Sequence, residues 1–235
     1  MKGPDPGGLQ MRVKTGIPNF KKLVGGGIPR GNTVLLTGDY GTGKTTFGIQ
    51  YLIKGVDIFN ELGIFVTFED DRESLIKYAK EFGWPIETQE KEDNLLILGG
   101  SPGRVEGFSK IAKKTGEGLI EEILKIVNEF DAKRLVIDGL DELSCLFKNK
   151  RKFKSEIAKL RRKLGSRGCT SILTSRPELG IEGIVDGIIT LHYDGQIEKT
   201  RAIEIKKMRR TDHTDRMCPF EITDKAIKVT GYPEN

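Results

Sequence analysis

The stretch Val34-Leu-Leu-Thr-Gly-Asp-Tyr-Gly-Thr-Gly-Lys-Thr-Thr46 constrains this chain more than any other. Val34, Leu35 and Leu36 form an apolar run that leads into a glycine-rich loop, and Phe47, Ile49, Tyr51, Leu52 and Ile53 continue at once in a helical pattern. Gly38, four residues, then Gly43-Lys44-Thr45 is the P-loop spacing, and the strand before it and helix after it are the context that spacing requires. Each residue type has a physical task. Glycines at 38, 41 and 43 are expected to adopt backbone angles that a Cβ would forbid, turning successive N–H groups toward phosphate oxygens. Lys44 brings a positive charge to the terminal phosphates, the Thr45 hydroxyl is placed to ligate Mg²⁺, and the helix start adds the positive end of its dipole. The phosphate-binding residues are therefore Gly38, Asp39, Tyr40, Gly41, Thr42, Gly43, Lys44, Thr45 and Thr46.

Beyond this loop, apolar strands alternate with helical patterns. Gly63–Asp70 and Arg134–Asp138 are near-continuous apolar runs that end in carboxylates, as parallel strands covered on both faces do. Cys169–Ser175 is a further strand, and helices are expected over about 43–60, 72–82, 119–130 and 152–165. After Ile184 the pattern changes to two strands, 187–193 and 201–208, joined at Asp194-Gly195, and a last pair follows at 220–223 and 227–229. The alternation implies an α/β fold: a mainly parallel central sheet flanked by helices, with an antiparallel C-terminal edge. In such sheets ligands sit at the carboxyl ends of the strands, where Asp70, Asp138 and Thr174 fall.

The 235 residues suit one domain, read as 12–235, behind a flexible Gly- and Pro-rich tail at 1–11. With 37% hydrophobic and 31% charged residues the chain reads as a globular one. No apolar run approaches membrane-helix length and the start lacks a signal-peptide core, so a cytoplasmic location with no membrane contact is expected. Cys145, Cys169 and Cys218 form no CxxC pair, which argues for reduced thiols. The net charge of +5 tolerates an acidic partner without requiring one. The basic stretch Lys148–Lys154, continued by Lys159, Arg161, Arg162 and Lys163, admits nucleic acid or an acidic protein partner, but with only Phe153 interleaved it fits the wet face of an amphipathic helix better. His192, among apolar neighbours, reads as structural.

Two carboxylate positions carry chemistry. Asp138, closing an apolar strand, is placed to hold Mg²⁺ opposite Thr45. Glu69 is the candidate to orient or deprotonate an attacking water, with Asp70 in support. For these two the alternative role is capping of the next helix.

Thr15-Gly-Ile-Pro, Leu23-Val-Gly-Gly-Gly-Ile-Pro-Arg-Gly, the P-loop, Thr67-Phe-Glu-Asp, Val185-Asp-Gly-Ile-Ile-Thr-Leu and Lys207-Met-Arg-Arg-Thr-Asp-His213 with Pro219-Phe-Glu-Ile-Thr223 together resemble a single domain of the KaiC-like ATPases, within the RecA/RadA class. The likeness runs from Arg12 to Val229. It implies a RecA-like P-loop NTPase that binds ATP with Mg²⁺, hydrolyses it slowly, and assembles with itself into a ring, hexameric in that family, with nucleotide between subunits. Glu69 aligns with the family's water-activating glutamate. Lys207 and Arg209, with Thr211 and His213 nearby, align with residues that reach the nucleotide of the adjacent subunit. Arg210 stands where the family usually has glycine, and Lys21 and Lys22 where acidic residues are common. The segment between Thr174 and Ile184 is short and carries two glutamates, so DNA binding of the recombinase kind is not favoured. Two rival readings remain: a nucleotide-dependent signalling scaffold with incidental hydrolysis, and a DNA-dependent recombinase-like ATPase.

Overall fold

A computed structural model describes residues 11–100, 107–108, 115–194 and 200–231. In chain order the elements are β1 (Arg12–Val13), α1 (Phe20–Leu23), β2 (Ile28–Pro29), β3 (Thr33–Thr37), α2 (Lys44–Phe59), β4 (Gly63–Thr67), α3 (Arg72–Glu81), α4 (Ile86–Lys91), β5 (Leu95–Leu98), α5 (Gly116–Glu129), β6 (Arg134–Asp138), α6 (Leu140–Ser144), α7 (Lys150–Ser166), β7 (Thr170–Ser175), β8 (Gly187–Asp194), β9 (Thr200–Met208), β10 (Cys218–Ile222) and β11 (Ile227–Val229). The expected tail falls almost wholly on 1–10, outside the described residues, as do the turn at 195–199 and most of the loop between β5 and α5.

Nine strands make one sheet in the order β11-β10-β9-β8-β3-β7-β6-β4-β5. From β8 to β5 every pairing is parallel, and β8–β9, β9–β10 and β10–β11 are antiparallel, as the change of sequence pattern after Ile184 implies. Alternation along the strands sorts side chains onto two faces. On one, Leu36, Phe65, Val136 and Ile172 pack with Phe47, Ile53, Leu75 and Ile86 of α2, α3 and α4. On the other, Leu35, Ile64, Leu135 and Leu173 pack with Ile123, Leu143, Ile157 and Leu160 of α5, α6 and α7. Helix α2 buries 10 of its 16 residues, which is why it is apolar around most of its circumference. Among the described residues no helix is long and apolar enough to cross a membrane.

Several local details depart from the sequence expectation. Strand β4 stops at Thr67, three residues before Asp70, because the Thr67 hydroxyl accepts from the backbone N–H of both Glu69 and Asp70 and turns the chain out of the sheet. Helix α4 follows the Gly83-Trp84-Pro85 break and buries Ile86, and the two-residue pair β1–β2 precedes the core strand. Both are too short to leave a periodic signal.

Candidate nucleotide site

Strand β3 lies between β8 and β7, and its carboxyl end opens into the P-loop. Gly43 sits at φ +100°, the left-handed region that lets α2 start directly from the loop. Gly38 does not need that freedom. A Cβ there would lie 2.5 Å from the Leu191 carbonyl oxygen on β8, so its glycine is required by close backbone approach and not by its own dihedral angle. The Thr42 hydroxyl donates to the Asp39 carbonyl at 2.8 Å and closes the loop on itself.

A cavity of about 550 Å³ covers this loop, and its walls include Tyr40, Gly41, Gly43, Lys44, Thr45, Thr46, Glu69 and Asp70. Most of the residues assigned to phosphate binding and water activation thus share one space. Lys44 Nζ folds over the loop and donates to the carbonyls of Gly38 and Asp39 at 2.8 and 3.0 Å. Partial burial lowers its pKa, an effect opposed by the negative charges of Glu69 and Asp138. Thr45 Oγ1 donates to Asp138 Oδ2 at 2.9 Å, and Thr174 Oγ1 donates to Asp138 Oδ1 at 2.5 Å.

Asp138 is 1% exposed. Burial raises its pKa, and the two hydroxyl hydrogen bonds only partly oppose that rise. Among the described residues the carboxylate therefore has neutral hydrogen-bond partners and no ion pair, an arrangement that favours a divalent ion. Hard oxygen donors from one hydroxyl and one carboxylate suit Mg²⁺, which takes few protein ligands and completes its shell with water and phosphate oxygens. Among the described residues, no group of three or more His, Cys, Asp and Glu side chains could hold a metal ion.

Glu69 and Asp70 reach into the cavity from the turn after β4. Desolvation raises both pKa values, with the Asp138 charge adding to the effect at Glu69 and the Asp71 charge at Asp70. Neither caps α3. That duty falls to Asp71, whose Oδ1 accepts from Ser74 N at 2.7 Å. The turn is held close to β6, since a Cβ on Gly139 (φ +83°) would meet Glu69 Cγ at 2.7 Å.

Three further walls of the cavity were not read from the sequence: Tyr78, Arg201 and Ile222. The Tyr78 hydroxyl shares a 2.7 Å hydrogen bond with Thr46 Oγ1. Arg201 lies over the Tyr193 ring at 4.4 Å and donates from Nη2 to the Gly41 carbonyl at 3.3 Å. Arg201 is 160 residues from Gly41, and no local spacing reports such a contact.

Lys207, Arg209, Thr211 and His213 lie elsewhere. Met208 pairs with Gly187, which in turn pairs with Val34, so the end of β9 is at the amino end of β3, opposite the P-loop. Lys207 Nζ donates to the carbonyls of Glu182 and Val185 at 2.9 and 2.7 Å, and burial lowers its pKa, with Arg209 adding to the effect. Arg209 Nη2 donates to the Gly183 carbonyl at 3.3 Å. Arg12 Nη1 donates to Thr211 Oγ1 at 2.5 Å, and His213 Nδ1 is 2.9 Å from the Thr214 carbonyl oxygen. Arg210 has φ +66°, the left-handed conformation in which glycine is most at ease, and its guanidinium bonds Asn32 Oδ1.

The basic stretch forms α7. Its Phe153, Ile157, Leu160 and Leu164 are buried, while Lys159 pairs with Glu121 of α5 at 3.0 Å and Lys152 lies 3.4 Å from Glu156. The helix thus presents a partly neutralised wet face. His192 pairs with Glu204 across the β8–β9 ladder at 2.9 Å. Cys145, Cys169 and Cys218 are all free.

Comparison with known proteins gives a consistent picture. The family model described as "ATPase: KaiC" matches residues 13–234. A UPF0273 protein of Methanocaldococcus jannaschii is 35% identical, over 95% of this chain and 97% of its own length. The circadian clock oscillator protein KaiC of Synechococcus elongatus is 32% identical over 93% of this chain, which spans only 44% of that relative. Among solved structures, a KaiC-like protein from the hyperthermophilic archaeon Pyrococcus horikoshii superposes with a TM-score of 0.82 at 37% identity, covering 96% of this chain and all of that one.

Proposed function

The chain belongs to the KaiC-like ATPase family, and on that premise we propose that it binds Mg-ATP and hydrolyses it slowly in a homo-oligomeric ring, a hexamer, with nucleotide between subunits. The observation that carries this reading is the convergence of Lys44, Thr45, Asp138 and Glu69 at the carboxyl end of β3. Lys44, Thr45 and Glu69 line one cavity of about 550 Å³, and Asp138 stands behind it, 2.9 Å from Thr45 Oγ1. The amides of the loop and Lys44 hold the phosphates. Thr45 and Asp138 would hold Mg²⁺, which supplies charge neutralisation to the phosphate oxygens.

Glu69 orients a water and accepts its proton as the water oxygen bonds to the γ-phosphorus and the bond to the β–γ bridging oxygen breaks, leaving ADP and inorganic phosphate. Its raised pKa makes it a stronger base than an ordinary carboxylate, and Asp70 beside it helps keep it so. Lys207 and Arg209 lie at the opposite end of the sheet and cannot serve their own subunit's cavity. That placement supports a role toward the nucleotide of a neighbouring copy, with Thr211 and His213 alongside. One domain over 12–235 suffices for this arrangement, and it requires no partner other than further copies of the chain.

Phosphate release is the test. Glu69→Gln is expected to lower turnover at least about 100-fold while ATP affinity changes less than about threefold. Parental turnover is expected below about 1 s⁻¹. Undiminished phosphate release from Glu69→Gln would remove Glu69 from the reaction. Loss of release with the biological output of the assembled ring unchanged would favour the signalling-scaffold reading, in which hydrolysis is incidental.

A further inference from the structure

The trans reading leaves a physical problem, and the fold contains an answer to it. Behind the end of β9 lies a cavity of about 390 Å³ whose walls carry Arg161, Arg162, Arg209 and Arg210 beside Asp186. Several guanidinium groups around one small space repel each other unless a carboxylate sits among them. Asp186 is that carboxylate. It is 4% exposed, and its Oδ1 accepts from Arg161 Nη1 at 2.6 Å while lying 3.6 Å from Arg209 Nη1.

Asp186 is itself fixed. Its N–H donates to the Thr33 carbonyl at 2.8 Å, its Oδ2 accepts from Thr33 N at 3.2 Å, and its own carbonyl accepts from Arg209 N at 2.9 Å. Thr33 is the first residue of β3, whose far end is the P-loop, so the anchor belongs to an interior strand paired on both sides.

The geometry points to Asp186 as a positioning residue for the trans cation: by bridging Arg161 of α7 and Arg209 of β9, it holds the Arg209 guanidinium at the mouth of this arginine-lined cavity, set to meet a neighbour's phosphate. The two distances divide the work. Arg161 takes the tight contact and absorbs most of the carboxylate's charge. Arg209, at 3.6 Å and on the Gly183 carbonyl, is oriented without being neutralised. The same short segment steadies Lys207 through the Glu182 and Val185 carbonyls, so residues 182–186 serve as the seat for both cations. This inference rests on the proposed trans role.

The experiment measures phosphate release at varied ATP for the parent, Asp186→Asn, Arg209→Ala and the double variant, with melting temperature and solution mass recorded for each. Asparagine keeps an acceptor for Thr33 N and removes the charge. Asp186→Asn is expected to lower turnover about tenfold with KM within about twofold, since misplacing a catalytic group by about an ångström has effects of that order or larger. Arg209→Ala is expected to lose about 100-fold or more, and the double variant to lose no more than Arg209→Ala alone. Losses that multiply in the double variant, or parental turnover in Asp186→Asn with Arg209→Ala impaired, would overturn the inference and leave the trans reading standing. Parental turnover in Arg209→Ala would remove both. If Asp186→Asn fails to fold, Arg161→Gln takes its place: an about fivefold loss that vanishes in the Arg209→Ala background supports the inference, and a multiplicative one sinks it.

Discussion

Strand β6 carries a buried charge at each end, and the two ends differ in a way that separates structure from function. Arg134 at the start is 0% exposed and fully satisfied: Nε donates to Glu61 Oε2 at 2.7 Å, Nη1 to the Tyr51 carbonyl and Nη2 to the Lys14 carbonyl, each at 2.9 Å. Its guanidinium also lies 4.6 Å from the Tyr51 ring centroid, and Arg30 meets the other oxygen of Glu61. Asp138 at the far end is equally buried, but among the described residues its carboxylate bonds only to the hydroxyls of Thr45 and Thr174. One charge has its counter-ion built into the fold. The other has none among the described residues.

The difference predicts opposite responses to mutation. Removing the counter-ion at the satisfied end has the largest expected effect: Glu61→Ala leaves Arg134 charged and buried and is expected to cost about 3–5 kcal/mol in denaturant unfolding, with ATP affinity of the folded protein unchanged. A loss below about 1 kcal/mol would show that the carbonyls and rings alone satisfy Arg134.

At the unsatisfied end the signs reverse. Asp138→Asn is expected to reduce turnover about 100-fold, close to 3 kcal/mol of transition-state stabilisation, while stabilising the nucleotide-free fold by about 1 kcal/mol at neutral pH. The pH dependence follows from the raised pKa of Asp138. An acid whose folded pKa exceeds its unfolded value, about 4, binds more protons folded than unfolded between those two values. Stability therefore falls as pH rises from about 4 through the folded pKa. Glu69 and Asp70 have the same sign. Urea midpoints across pH should show this fall in the parent and a shallower one in Asp138→Asn. An equally steep fall in both would assign it to other groups.

The smallest effect tests the link between β6 and the turn that carries Glu69. Gly139→Ala places a Cβ in left-handed backbone and against Glu69 Cγ, and is expected to cost about 1–2 kcal/mol in stability together with a several-fold drop in turnover. Lost stability with intact turnover would show that the turn carrying Glu69 adjusts freely.

Much of this was legible in the chain itself. The limits of β6 were read to the residue because its apolar run ends abruptly at Asp138, and the antiparallel edge was announced by a change of period after Ile184. Lys44, Thr45, Asp138 and Glu69 were named from motif and strand-end position, and the structure brings them together. What could not be read were contacts between distant residues with no shared spacing. Arg134 and Arg201 stood only as strand starts, Tyr78 as one position of a helix, and Asp186 as one residue of the Val185–Leu191 motif.

Sequence alone determined the alternation of the main strands and helices and the chemical kinds of group at the strand ends, because hydrophobic period and glycine spacing are local and each element obeys them separately. Tertiary structure alone decided which charges are balanced within the chain and which are not. That depends on where side chains far apart in sequence come to rest when the sheet closes, and on how much water is excluded around them.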